Sequence, residues 1–324
     1  MALSSKTRVH TAFAKEIAAG LASTPKTLSS KWFYDDRGSE LFQQIMHVQD
    51  YYLTRTEYEI FETQHKSITQ AFGHDPDTPI ELIEFGAGDG LKTKLLLQSL
   101  RTSDRPFTYH PIDISGGAIR ELMKSLKADF PNLNVVPHEA DYFTALHELN
   151  ERHAGQKVIL FLGSNIGNFP DQDAQRFLKH LAAEMRKGDQ ALIGFDLKKD
   201  PDVIMRAYND SEGVTRAFNL NLLERINREL GGNFDLESFR HNPTYDPETG
   251  ETKSFLLSTR KQKVHLSELG QTFQFEAWET IWTELSQKYD QGMIKRLAGK
   301  SGFNVSKNFS DSRNYFVDSL WEKQ

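Results

Sequence analysis

The spacing of apolar positions changes character along this chain. Residues 7–21, 38–47 and 54–71 place apolar side chains at helical intervals, with Tyr51 and Tyr52 in the turn between the last two. Thr24 to Ser30 is a polar connector that contains Pro25, and FGHDPDTP at 72–79 reads as a loop. The pattern then becomes one of short, nearly continuous apolar runs, at 80–86, 108–114, 133–136, 157–163 and 190–196. Helical stretches at 91–101, 116–129, 143–152 and 171–187 separate them. Strands alternating with helices predict a parallel α/β sheet. A further helix at 289–299 and two strands, at 302–305 and 315–317, complete this part.

A different kind of sequence interrupts it. Residues 200–230 read as helical and 231–248 as loop. From 253 to 266 and from 271 to 285 apolar and polar positions alternate, which predicts antiparallel strands with one wet face. Residues 199–286 are therefore expected to be an insertion that builds a second, α+β domain with the N-terminal helices. The expected division is 1–60 with 199–286 for the substrate, and 61–198 with 287–324 for the α/β core. No internal repeat or low-complexity tract is evident.

Composition narrows the classes. With 324 residues, 38% hydrophobic and 26% charged, a packed globular chain is expected. A net charge of −6 gives no basic footprint for nucleic acid or anionic lipid. The absence of cysteine rules out disulfides, thiolate metal sites and cysteine nucleophiles. The opening MALSSKTRVH lacks the apolar core of a signal peptide, and no run reaches membrane-spanning length. The expectation is a soluble cytoplasmic protein, with no membrane or nucleic-acid partner.

The first candidate chemistry lies in Glu84-Phe85-Gly86-Ala87-Gly88-Asp89-Gly90, between an apolar strand and the helix opening at Leu91. Such a turn lets a ligand approach bare backbone at a helix N-terminus. Its E-x-G-x-G-x-G spacing, with Leu91 where the dinucleotide fingerprint has its last glycine, leans towards S-adenosylmethionine. Asp113 ends the second strand, where a carboxylate accepts from both ribose hydroxyls. Asp141 follows the third, where it can accept from an adenine amino group while Tyr142 packs on the ring. Both aspartates also suit helix N-caps. Lys92 is placed to pair with a carboxylate of the cofactor. The five strands, terminal helix and hairpin suit a Rossmann-like class I methyltransferase sheet.

Other residues point to a substrate. Gly163 and Asn168 crowd the end of the fourth strand, where open α/β sheets bind ligands, although an ordinary turn with a left-handed Asn would look the same. Aromatics gather at Trp32–Tyr34, Tyr51, Tyr52 and Tyr208, and aromatic faces attract a sulfonium or methylated ammonium. Glu284 and Ser286, two apart on a strand, point to one face and could grip a polar ring, or could belong to a wet face. The 11 histidines are scattered. No zinc-protease, phosphate-loop or nucleophile-elbow motif occurs.

Several segments together resemble the EgtD-type histidine Nα-methyltransferases of ergothioneine biosynthesis. They are KWFYDDRGSELF, YYLTRTEYEI, the glycine loop, FLGSNIGNF, FDLKKDP, AYND, GVTRAFNLN, NREL and WTELSQKY, and they run from about residue 25 to the C-terminus. The resemblance implies cofactor contacts at Tyr51, Gly86, Lys92, Asp113, Asp141 and Tyr142. It implies substrate contacts at Gly163, Asn168 and Tyr208, an imidazole clamp at Glu284 and Ser286, and Tyr34 near the reacting amine. The pattern departs at Ala87, Asp89, Asn165 and Ser254, the last standing where family members often place a Met.

The activity implied by the resemblance is transfer of methyl groups from S-adenosylmethionine to the α-amino nitrogen of L-histidine. The implied product is the trimethylated betaine hercynine, and the enzyme is expected to be metal-free and monomeric. Because Ser254 alters the ring pocket, tyrosine or tryptophan stays open as the accepting amino acid. A non-catalytic sensor of a betaine or of the cofactor is a rival of another class, and a nucleic-acid methyltransferase is disfavoured by the acidic balance.

Overall fold

The computed structural model of the chain describes residues 5–73, 78–103, 105–152 and 155–324. The middle of the loop expected at 72–79 and the start of the MALSSKTRVH segment lie outside the described residues. The chain divides into two compact units, Met1–Tyr52 with Lys199–Ser286, and Leu53–Lys198 with Gln287–Gln324. The first break falls at the start of the helix Tyr52–Gln70 rather than at residue 60. That helix is continuous, and its Ile60, Phe61 and Ile68 pack with Ile80, Leu82 and Leu160 in the core of the second unit.

The second unit is built on a seven-stranded sheet. In chain order its strands are β1 (Ile80–Phe85), β2 (Phe107–Asp113), β3 (His138–Glu139), β4 (Gln156–Phe161), β5 (Gln190–Asp196), β6 (Phe303–Ser310) and β7 (Phe316–Lys323). Their spatial order is β3-β2-β1-β4-β5-β7-β6. The first five run parallel, and β7 is antiparallel to both β5 and β6. Every residue of β1 and of β5 is buried, as a parallel sheet covered on both faces requires. Strand order reverses between β1 and β4, so the loops leaving their carboxyl ends diverge there, at the switch point where such sheets bind ligands.

The strand expected at 133–136 is not a strand. Val135 makes only an isolated parallel bridge to Tyr109, and the pairing resumes at His138–Glu139. Pro137 has no N–H to donate, and this is the outer edge of the sheet, where Val136 is exposed.

The first unit carries a four-stranded sheet, in the order Lys26–Thr27, Thr280–Gln287, Glu251–Ser258, Phe239–Tyr245, and a hairpin of Gln262–Leu266 with Gln271–Phe275. Its core gathers Phe13, Ile17 and Leu21 of the first helix, Phe218, Leu222 and Ile226 of the helix Val214–Leu230, and Leu256 and Ile281 of the sheet. The structure differs from two expectations in this unit. The stretch 231–248 contains an antiparallel strand, Phe239–Tyr245, whose period of two is masked by Arg240, Asn242 and Pro243; it lies at the sheet edge, where proline is tolerated. The runs 253–266 and 271–285 are each two strands, and the second breaks at Trp278, a left-handed residue with φ 68°.

Candidate active site

In the second unit the glycine loop leaves β1 with Gly86, Gly88 and Gly90 all left-handed, at φ 69°, 54° and 66°. A Cβ on Gly86 would meet only the Tyr142 hydroxyl, at 3.1 Å, and one on Gly88 nothing nearer than 4.0 Å. Side chains there would fill the open side of the turn, so glycine keeps that backbone reachable. Gly90 differs, since its Cβ would lie 2.6 Å from Leu122 Cδ1: it lets the turn pack close against the helix Gly116–Asp129.

Asp113 ends β2, and its Oδ1 accepts from Ser115 N–H at 2.8 Å. The cap of the next helix is Ser115, not Asp113. Asp141 caps the helix Tyr142–Arg152: its oxygens accept from Thr144 N–H at 3.0 Å and Thr144 Oγ1 at 2.5 Å. Those bonds, Thr144's side chain first, hold its carboxyl below the usual range. Tyr142 stacks on Phe85, centroids 4.6 Å apart and planes 3° from parallel. Burial and then the nearby Asp113 push its phenol up to about 12. Gly86, Asp113 and Tyr142 thus meet at the carboxyl ends of β1 and β2. This open glycine turn, strand-end carboxylate and flanking ring fit an adenosine-bearing cofactor.

Lys92 has a partner inside the protein. Its ammonium pairs with Glu57 Oε2, where the sequence alone had suggested a cofactor carboxylate. Burial pulls its pKa down, but Glu57 and then Asp318 and Glu84 outweigh it and leave it above the usual value. At the end of β4, Gly163 is left-handed at φ 73° and its N–H donates to Glu57 Oε1 at 2.6 Å. The left-handed residue beside it is Ser164, at φ 55°, rather than an asparagine. Asn165 Nδ2 holds the turn through Leu162 O at 2.9 Å, and Asn168, ending the short helix Asn165–Asn168, is exposed.

The first unit carries the other group. Glu284 and Ser286 lie on the strand Thr280–Gln287. Ser254 Oγ donates to Glu284 Oε2 at 3.2 Å, and the buried Tyr208 hydroxyl donates to Ser286 Oγ at 2.7 Å. Tyr34 follows the 3-10 turn Ser30–Phe33 and rests edge-on against Phe42 and Phe218, at 5.5 and 5.6 Å. It keeps 49% of its surface accessible, yet burial, then the Glu284 carboxylate and Tyr208, raise its phenol far above the usual range. The Glu284 carboxylate and Tyr208 thus act electrostatically on Tyr34, whose phenol holds its proton more tightly than an ordinary tyrosine.

The next residue anchors that loop. Asp35 Oδ1 accepts from Gly38 N–H and Asn221 Nδ2, both at 2.8 Å, and Oδ2 pairs with Arg228. A Cβ at Gly38 would fall 1.7 Å from Phe33 O, so only glycine allows the helix Asp36–His47 to start here. Tyr51 packs at the edge of this unit's core.

Sequence reasoning missed two residues. Glu57 is nearly fully buried yet touches both loops at the switch point. Ile114, beside Asp113, leaves 78% of its surface accessible, an apolar side chain displayed at a strand end. Glu57 falls within the YYLTRTEYEI segment, which by itself assigns it no role, and no local pattern marks Ile114. Among the described residues no group of three or more histidines and carboxylates is placed to hold a metal ion, and no helix is long and apolar enough to cross a membrane.

The seven-stranded sheet with its antiparallel β7, and the open glycine turn at the switch point, define a class I, S-adenosylmethionine-dependent methyltransferase. The model of the family described as histidine-specific, SAM-dependent methyltransferases matches residues 13–323, and the chain belongs to that family. It is 34% identical to a histidine N-alpha-methyltransferase of Mycolicibacterium smegmatis, over 95% of this chain and 94% of that one. To the Mycobacterium tuberculosis protein of the same name it is 33% identical, over 97% and 96%. Ergothioneine biosynthesis protein 1 of Neurospora crassa is 30% identical over 91% of this chain, which spans 33% of that longer protein. A solved magnesium protoporphyrin IX methyltransferase from Synechocystis, with bound SAH, aligns at TM-score 0.44 and 11% identity, over 91% of this chain and 98% of that one.

Proposed function

We propose that this enzyme methylates the α-amino nitrogen of L-histidine, repeating the transfer to the trimethylated betaine hercynine, the first step of ergothioneine biosynthesis. One observation carries the choice of amino acid: Glu284, steadied by Ser254, stands two residues from Ser286, which is bonded to Tyr208. A carboxylate and a hydroxyl at that spacing suit a ring with a nitrogen on either side.

S-adenosylmethionine, when bound, supplies the electrophilic methyl group. On this reading Asp113 accepts from the ribose hydroxyls, Asp141 from the adenine amino group, and Tyr142 and Ile114 flank the base. Gly86 keeps the turn open, Tyr51 adds an aromatic contact and Lys92 holds its loop through Glu57. Gly163, Asn168 and Tyr208 bind the amino and carboxylate ends of the amino acid. Glu284 accepts a ring N–H, and Ser286 engages the ring's other side.

Tyr34 has a narrower role than that of a base. Its phenol keeps its proton, so it accepts an N–H from the substrate amine and aims the nitrogen lone pair, while the amine's own proton leaves to water. Direct displacement at a sulfonium methyl asks mainly for such alignment and for a neutral amine, which needs no metal. A free amino acid as substrate needs neither a nucleic acid nor a membrane surface, and the reading places the enzyme in the cytoplasm as a monomer.

The test is transfer of labelled methyl from S-adenosylmethionine to a panel of histidine, tyrosine and tryptophan. Preference for histidine is the expected result. Preference for either other amino acid would replace the substrate assignment, and no transfer to any of them would remove the catalytic reading.

A further inference from the structure

The glycine loop after β1 and the turn after β4 diverge from the switch point, and one side chain touches both. We propose that Glu57 is a positioning residue for the cofactor, fixing the spacing of these two loops. Glu57 comes from neither strand: it lies on the helix Tyr52–Gln70, and only 1% of its surface is accessible. Its Oε2 pairs with the Lys92 ammonium, at the N-cap position of the helix Thr93–Arg101 that follows the glycine loop. Its Oε1 accepts the Gly163 N–H at 2.6 Å, where the β4 turn starts.

The sheet makes room for this carboxylate. A Cβ on Gly194 of β5 would lie 2.7 Å from Glu57 Oε1, so the missing side chain provides the slot. Opposite Gly194 in the β7 register stands Asp318, with no accessible surface and neither oxygen hydrogen-bonded. Burial, then the adjacent Glu57, drive the Asp318 carboxyl well above its usual range against the pull of Lys92. The cluster therefore sets the Lys92–Glu57 ion pair beside a second buried carboxyl that holds its proton more tightly than usual. The first residue of the helix Thr93–Arg101 is tied as well, since Thr93 Oγ1 donates to the buried Glu84 Oε1 at 2.7 Å. Burial raises the Glu84 carboxyl to about 7.

A brace of this kind acts on the cofactor by setting the glycine loop against the β4 turn, and so rests on the proposal that the glycine loop binds the cofactor. Misplacing a binding loop by about 1 Å costs up to about a hundredfold in a well-oriented site. Removing one partner of a buried pair also leaves the other charge unmatched, which is worse than removing both.

Glu57→Gln keeps the volume and an acceptor for the Gly163 N–H but drops the charge facing Lys92. Titration calorimetry with S-adenosylhomocysteine should show affinity lower by about tenfold or more, with the KM for histidine within about twofold. Adding Lys92→Met should restore part of the lost affinity, a recovery that a mere fold brace would not give. A cooperatively folded Glu57→Gln protein that binds S-adenosylhomocysteine like wild type would overturn the proposal. Should that variant fail to fold, Glu57→Asp keeps the charge and shortens the reach: weakened binding supports the brace, and unchanged binding overturns it. Wild-type protein that does not bind S-adenosylhomocysteine at all would overturn the cofactor assignment and the brace together.

Discussion

Glu284→Gln isolates one charge. Glu284 is half-buried, and its backbone carbonyl accepts from Trp282 Nε1 at 2.8 Å, so the strand is held independently of the side chain being changed. Gln preserves shape and can still accept the Ser254 hydroxyl, now 3.2 Å from Oε2. What it loses is charge assistance to a ring N–H. Hydrogen bonds to charged groups contribute about 1.5–3 kcal/mol and neutral ones about 0.5–1.5. Partial exposure puts the difference near 1.4 kcal/mol, or about tenfold. The KM for histidine should rise by that factor. Glu284→Ala, which leaves both the ring N–H and Ser254 unanswered, should cost about a hundredfold. Steady-state methyl transfer measures the KM, and calorimetry checks that S-adenosylhomocysteine affinity stays unchanged in both variants. Unchanged histidine kinetics in Glu284→Gln, or an equal loss of cofactor affinity, would refute the clamp.

Asp113→Ala should weaken S-adenosylhomocysteine by at least about tenfold, since it removes a charged acceptor for the ribose hydroxyls; undiminished affinity by calorimetry would sink that assignment. Tyr34→Phe should lower kcat by less than about a hundredfold, because a neutral phenol orients the amine without taking its proton; a larger loss, within the range of general-base catalysis, would contradict that role. The Asp35 carboxyl lies lower in the folded chain than its ordinary value: burial opposes the shift, but Gly38, Asn221 and Arg228 outweigh it. Its contribution to stability is therefore complete above the unfolded value of about 3.9 and is lost as pH falls through the folded one. Denaturant melts of wild type and Asp35→Asn should thus converge towards acid, and a gap that stays constant down to the most acid condition would argue against the linkage.

Much of the sheet could be read from local pattern because its strands are buried on both faces. Ile80–Phe85 is buried at every position, so burial leaves a continuous run on the sequence. Phe239–Tyr245 shows the opposite case. As an edge strand with one wet face it admits Arg240, Asn242 and Pro243, and reads as loop. Edge position likewise hid His138–Glu139 behind Pro137.

The candidate site was legible where residue type and spacing already constrain chemistry, as in the glycine loop, Asp113 at a strand end, and Glu284 with Ser286. Its pairings were not, because they join residues distant in sequence. Glu57 meets Gly163 across 106 positions, and Tyr208 meets Ser286 across 78. Asp141 is a helix cap whose two oxygens both accept from Thr144, the N-cap role that its position also suited. Lys92 shows the limit of local reading, since a lysine at a helix start says nothing about the buried carboxylate waiting for it.

The central claim is repeated methyl transfer to the α-amino nitrogen of histidine. Mass spectrometry of the products formed from histidine and S-adenosylmethionine tests it most directly, by counting the methyl groups added and locating them by fragmentation. The account predicts the trimethylated betaine, with every methyl on the α-nitrogen and the imidazole unmodified. Histidine recovered unmethylated, or methylated on its ring, would contradict it.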